Sequence, residues 1–153
     1  NLRFFAALSG QRPSAVRERH DELLERFDLL GRADTAVREL SRGQQQKVMI
    51  TQAFLHEPEV VFIDEPLANL DPIVQERVKR YLREYRERGN TIFISTHHIE
   101  VAEEVCSRVG IVSGGELIAE RRPSELGPNE SLLDTFLENV GSATAEVQGL
   151  IGR

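Results

Sequence analysis

"EVVFIDEPLANLDPIVQERVKRYLREYRERGNTIFIS", residues 59–95, is the stretch that decides how this chain folds. It opens on a short continuous apolar run, 59–64, the pattern of a strand buried on both faces. "DPIVQERVKRYLREYRERG" (71–89) then reads as a helix, with Asp71 as N-cap, Pro72 at the first helical position and Gly89 as the stop. Val74, Val78, Tyr81, Leu82 and Tyr85 recur at helical spacing and form its buried stripe. "TIFIS" (91–95) is a second buried strand. Strand, helix and strand in this order imply a parallel βαβ unit with a right-handed crossover.

Downstream, 98–107 reads as a helix and "RVGIV" (108–112) as a third strand that continues the parallel alternation. "SGG" (113–115) turns the chain into "ELIAE" (116–120), a hairpin. Short helices are expected near 123–127 and 131–139, and the end, "GSATAEVQGLIGR", is expected to be loosely ordered. Upstream the character is helical. Residues 1–9 have an amphipathic pattern and "SGQRPS" (9–14) is a break. Ser14 to Leu30 reads as a helix with Val16, Leu23, Leu24, Phe27 and Leu30 near one face and Gly31 as the stop. After a connection over 32–40, a helix runs from Gly43 to about His56 and Pro58 closes it.

The expected class is therefore α/β, with a mainly helical part over 1–56, a strand-bearing part over 57–122 and C-terminal helices and a tail over 123–153. Hydrophobic content of 40% and charged content of 29% fit a globular protein. A net charge of −6 argues against a nucleic-acid surface. The single cysteine, Cys106, excludes an internal disulfide and fits a reducing compartment. No apolar run approaches membrane-spanning length and no signal-peptide pattern opens the chain, so a soluble, cytoplasmic protein is expected. The start at Asn1, inside the amphipathic pattern of Leu2, Phe4, Phe5 and Leu8, reads as a cut piece of a longer protein.

Two carboxylates, Asp64 and Glu65, close the first strand of the opening stretch. That puts them at the carboxyl edge of a parallel sheet, where α/β proteins bind ligands. In a phosphate-handling site one such carboxylate holds Mg²⁺ through water and the other activates the attacking water. The next strand also ends in polar groups, "STHH" (95–98), which brings His97 or His98 beside the carboxylate pair, in reach of a phosphoryl group or a water. A third element precedes both. "LSRGQQQK" (40–47) places a hydroxyl, a glycine and a glutamine in a turn that opens a helix, where free N–H groups and the helix dipole favour an anion.

The order LSRGQ, VVFIDEP, ANLD and STH, over about 58 residues, closely resembles the ATP-binding cassette (ABC) ATPase family. LSRGQ is similar to the family's LSGGQ signature, VVFIDEP to its Walker B strand, ANLD to its D-loop and STH to its switch-histidine strand. The resemblance runs from Asn1 to about residue 139. It implies a partial P-loop NTPase core of RecA-like type with parallel strands, plus a mainly α-helical subdomain over 1–56. By position it implies that Asp64 holds the Mg²⁺ shell, Glu65 is the general base, His97 contacts the γ-phosphate and Asp71 communicates across a dimer. Ser41, Gly43 and Gln44 would contact the γ-phosphate of ATP held by the other subunit of a head-to-tail dimer. His98 stands where the family often has Asp, and Arg42 where it typically has Gly.

One expected element is absent from the sequence. No G-x-x-x-x-G-K-[ST] occurs, and neither Lys47 nor Lys79 follows a glycine, so the Walker A loop that cradles phosphates is missing, as is the Q-loop. The resemblance thus implies the C-terminal portion of a nucleotide-binding domain. It further implies an ATP-hydrolysing subunit of an ABC transporter at the cytoplasmic face of the membrane, with membrane-spanning permease subunits as partners and no nucleic acid. "GIVSGGELIAERRPSEL" is similar to multidrug or Nat-type exporters. The alternatives are a soluble ABC ATPase acting on ribosomes or DNA, and a non-catalytic fragment. For the isolated chain, no appreciable ATP turnover is expected.

Overall fold

The computed structural model describes residues 13–127 and 130–138. The expected helix over 1–9 and the tail beyond 140 lie outside the described residues. Two compact units succeed each other, divided between Ser95 and Thr96.

In the first unit, α1 (Pro13–Arg26), α2 (Arg42–Phe54), β1 (Val60–Asp64), α3 (Pro72–Glu87) and β2 (Thr91–Ser95) follow in order, with 3₁₀ turns at Leu30–Arg32 and Val37–Glu39. Helix α1 stops four residues earlier than the sequence suggests. Asp28, not Gly31, takes the left-handed conformation, with φ +56°. The Leu29 N–H donates to the Leu24 carbonyl at 2.7 Å and the Asp28 N–H to the Glu25 carbonyl at 3.1 Å, which is a Schellman end. Leu24 and Leu29, both buried, complete that motif. A search for glycine misses it because aspartate is one of the few other residues that tolerate this conformation.

Helix α3 forms as its pattern dictates. Asp71 accepts the Val74 N–H at 3.0 Å, Pro72 sits in the first turn, and Gly89 follows the end at φ +93°. Its stripe of Val74, Val78, Tyr81, Leu82 and Tyr85 is buried as expected. The stripe meets Phe27 and Phe54 in an edge-to-face aromatic cluster. Ring centroids lie 5.5 Å apart for Phe27–Tyr81, 4.9 Å for Phe54–Tyr81 and 4.8 Å for Phe54–Tyr85. Such pairs add about 0.5–1.5 kcal/mol each beyond their burial.

Tyr81 is fully buried, yet its hydroxyl accepts from Arg19 at 2.8 Å, and Arg26, itself ion-paired with Glu84, lies over its ring at 4.9 Å. Burial pushes the Tyr81 phenol up to about 12, against the pull of Arg19. The folded state thus resists losing this proton. The stabilisation is fully present below the unfolded pKa near 10 and is lost as pH rises toward about 12. Denaturant titrations between pH 9 and 12 should show stability falling by roughly 2–3 kcal/mol more in the wild type than in Tyr81→Phe. Equal slopes would contradict this.

Strands β1 and β2 pair in parallel, with Val60 opposite Thr91 and Asp64 opposite Ser95. The expectation of burial on both faces is corrected. Val61 is buried, but Val60, Phe62 and Phe93 stand exposed on the other face, Phe62 at 75% and Phe93 at 62%. The rings of Phe62 and Phe93 lie together there, 5.6 Å apart. Among the described residues, only one face of this strand pair is covered.

The second unit holds α4 (Ile99–Val105), β3 (Val109–Ser113), β4 (Glu116–Arg121), a 3₁₀ turn at Pro123–Glu125 and a helix, α5, over 132–138. The expected hairpin is present. Gly114 and Gly115 form its two-residue turn with φ +59° and +86°, values that suit glycine and match strand twist. A bulge between Ile111 and Val112 shifts the register. The expectation that the third strand continues the parallel alternation is also corrected, because β3 takes its ladder bonds, antiparallel, from β4.

Candidate functional site

The site is built at the carboxyl edge of β1 and β2. Because the register sets Asp64 opposite Ser95, the two polar side chains that end these strands meet. The Ser95 hydroxyl donates to the Asp64 carboxylate at 2.6 Å, and both residues are exposed. Hard oxygen donors at an open sheet edge suit Mg²⁺.

Immediately after Asp64 the chain leaves the strand. Glu65 takes φ +45°, which few residues other than glycine adopt. Its N–H donates to the Ser95 carbonyl at 2.9 Å, and its carbonyl accepts from Ala68 N–H at 3.2 Å. The same carbonyl accepts from the Gln46 side-chain amide at 2.9 Å. Four residues on, Asn69 has a second positive φ, +60°. Leu67, between them, and Leu70, just after Asn69, are buried. Gln75, from α3, donates its amide to the carbonyls of Leu67 and Leu70, at 3.3 and 3.1 Å. Asp71 is exposed and caps α3.

The turn at the head of α2 packs on this loop. Ser41 and Gln44 form a capping box: the Ser41 hydroxyl accepts the Gln44 N–H at 3.3 Å, and the Gln44 side-chain oxygen accepts the Ser41 N–H at 3.0 Å. Gly43 faces the loop so closely that a Cβ there would lie 2.7 Å from the Asn69 carbonyl oxygen. Arg42 is exposed. The following glutamines each serve a different backbone segment. Gln45 donates to the carbonyls of Val37 and Leu40, both at 3.1 Å, while Gln46 reaches Glu65. Lys47 turns inward, 3.9 Å from the Asp28 carboxylate.

The structure thus brings Ser41, Gly43, Gln44, Asp64, Glu65 and Asp71 onto two adjoining elements of one unit. His97 lies two residues beyond Ser95, in the second unit. It is exposed, and its ring lies 4.0 Å from that of His98. The His98 N–H donates to the Thr96 hydroxyl at 3.1 Å, which bends the chain into α4. Sequence reasoning missed Gln46, Gln75 and Asn69. The run of glutamines was visible, but not where each one points.

A family model described as "ABC transporter" matches residues 2–68. The Nod factor export ATP-binding protein I of Cupriavidus metallidurans is 35% identical over 130 residues, which is 85% of this chain and 43% of that protein. The chain therefore spans less than half the length of this relative. A solved ATP-binding subunit of an ABC transporter superposes with a TM-score of 0.83 at 31% identity, over 91% of this chain and 60% of that one. A dimeric ATP-binding cassette bound to ADP and Pi, in a post-hydrolysis state, superposes with a TM-score of 0.65 at 29% identity, over 74% of this chain and 50% of that one. With the ordered motifs and the strand-edge geometry, these likenesses place the chain in the ABC family, as part of its ATP-binding domain.

Proposed function

We propose that these residues form the portion of an export-type ABC ATPase that supplies the general base, a carboxylate that holds Mg²⁺ through water and the turn that reads a facing nucleotide. The carrying observation is the joint placement, in one unit, of the Asp64–Ser95 pair, the sharply turned Glu65 and the capped turn at Ser41–Gln44. In this reading 1–56 is the helical subdomain, 57–122 is the second half of the ATPase core and 123–153 is the C-terminal extension.

Each role follows from position. Asp64, exposed and fixed by Ser95, holds Mg²⁺ through water. When bound, Mg²⁺ neutralises charge on the phosphates as it develops. Glu65 takes the proton from the attacking water, and the His97 imidazole contacts the γ-phosphate. Ser41, Gly43 and Gln44 present the head of α2 to ATP on a second ATPase subunit, related head to tail, and Asp71 lies at that dimer surface. The dimer drives membrane-spanning permease subunits from the cytoplasmic face. Among the described residues no helix is long and apolar enough to cross a membrane. Nucleic acid is not a partner in this reading.

Turnover needs a phosphate-cradling loop, and these 153 residues contain none. Positioning and electrostatics supply most of phosphoryl-transfer catalysis, so Glu65 alone has no substrate to act on. Titration calorimetry with Mg-ATP should detect binding by the full-length protein carrying this sequence and none by the 153-residue chain. Micromolar binding by the short chain would overturn this account of where the nucleotide sits.

A further inference from the structure

We infer that Gln46 is a positioning residue for Glu65, tying the general base to the turn at 41–44 so that the two move as one piece. This rests on the ATPase reading proposed above. Glu65 stands at φ +45°, a conformation that costs energy in an L residue and persists only where the surroundings enforce it. Its backbone is held by Ser95 from β2, by Ala68 from its own loop and by the Gln46 amide from α2. Only the last of these bonds links Glu65 to the helix that carries the phosphate-reading turn.

That helix grips the loop at both ends. Gln46 holds the carbonyl of Glu65, and Gly43 lies against the carbonyl of Asn69, where φ is +60°. Both positive-φ residues of the loop therefore touch α2. The capping box fixes the first turn of α2, and Gly43 and Gln46, three residues apart, are neighbours on the helix surface that faces the loop. From the other side Gln75 braces the loop at Leu67 and Leu70. A displacement of the 41–44 turn, such as engagement of a nucleotide on the facing subunit, must then be carried to the backbone of Glu65. Gln46 couples a site the chain reads in its partner to the base it uses on its own nucleotide.

Two substitutions separate positioning from mere packing. Gln46→Met keeps length and helix propensity but removes the donor, and Gln46→Lys keeps a donor able to reach the carbonyl. In the full-length protein, Gln46→Met should lower kcat about tenfold with KM within about twofold, one lost hydrogen bond's worth, and Gln46→Lys should recover most of it. Amide hydrogen exchange at Glu65 and Ala68, followed without nucleotide, should speed up about fivefold or more in the Met variant and return toward wild type in the Lys variant. Wild-type kcat in the Met variant, or a lower kcat with unchanged exchange at Glu65 and Ala68, would overturn the inference. If the wild-type protein shows no ATP turnover that depends on Glu65, the ATPase reading fails. The exchange comparison then decides on its own whether Gln46 holds Glu65.

Discussion

Replacing Glu65 by Gln in the full-length protein is expected to lower ATP turnover by about 10²–10⁴-fold, the usual contribution of a positioned general base. Mg-ATP affinity should stay within a few-fold of the wild type. The conformation of residue 65 is held by its backbone, whose N–H donates to Ser95 and whose carbonyl accepts from Gln46 and Ala68. A neutral amide of the same shape leaves those backbone bonds intact and cannot take the proton. Asp64→Asn should behave differently, because the exposed Asp64 carboxylate is proposed to hold Mg²⁺ through water and its loss weakens binding of the metal–nucleotide pair. Single-turnover kinetics beside equilibrium binding separate the two effects. A Glu65→Gln protein that hydrolyses ATP within tenfold of the wild type would remove Glu65 from the role of base.

The central stretch was legible because its signals agree at every level. Asp71, Pro72 and Gly89 punctuate α3, and its apolar stripe has one period only. Legibility failed where a residue did an unusual job. Asp28 ends α1 in a conformation normally sought in glycine, and Glu65 turns the chain at φ +45° beside a proline that itself suggests only a strand end. Neither leaves a compositional mark. The glutamine run failed differently: successive helical positions point about 100° apart, so Gln44, Gln45 and Gln46 meet three different partners. The segment over 37–41 takes Gln44 and Gln45, and the position of the loop over 65–70 decides Gln46. Strand β1 was read as buried on both faces because Val60 and Phe62 are apolar. Side-chain type records the surface a strand can bury, while the described residues cover the Val61 side alone.

The turn at 41–44 is the proposed phosphate reader, and the structure gives its glycine a steric reason to be there. A Cβ at position 43 would sit 2.7 Å from the Asn69 carbonyl oxygen, closer than carbon and oxygen pack. The obstacle is backbone, not a flexible side chain, so either the head of α2 or the loop must move. The loop is poorly placed to yield, since Gln75 holds the carbonyls of Leu67 and Leu70 and Gln46 holds that of Glu65. Gly43→Ala is therefore expected to destabilise the protein by about 1–3 kcal/mol, the usual cost of overpacking. The gain in helix propensity, about 1 kcal/mol or less, should not offset it. Turnover in the full-length protein should fall more than tenfold, because the displaced elements are the proposed phosphate-reading turn and the segment that begins at the proposed base. Arg42→Ala, at the exposed neighbour, should change stability by less than about 0.5 kcal/mol, which separates the steric effect from any general sensitivity of the turn. The sharper check is a double-mutant cycle with Asn69→Gly, which relaxes the φ +60° residue behind the carbonyl. If the clash is with that backbone, a looser loop should absorb part of it, giving a coupling of about 0.5 kcal/mol or more. Strict additivity would mean that Gly43 is required for something other than its contact with Asn69.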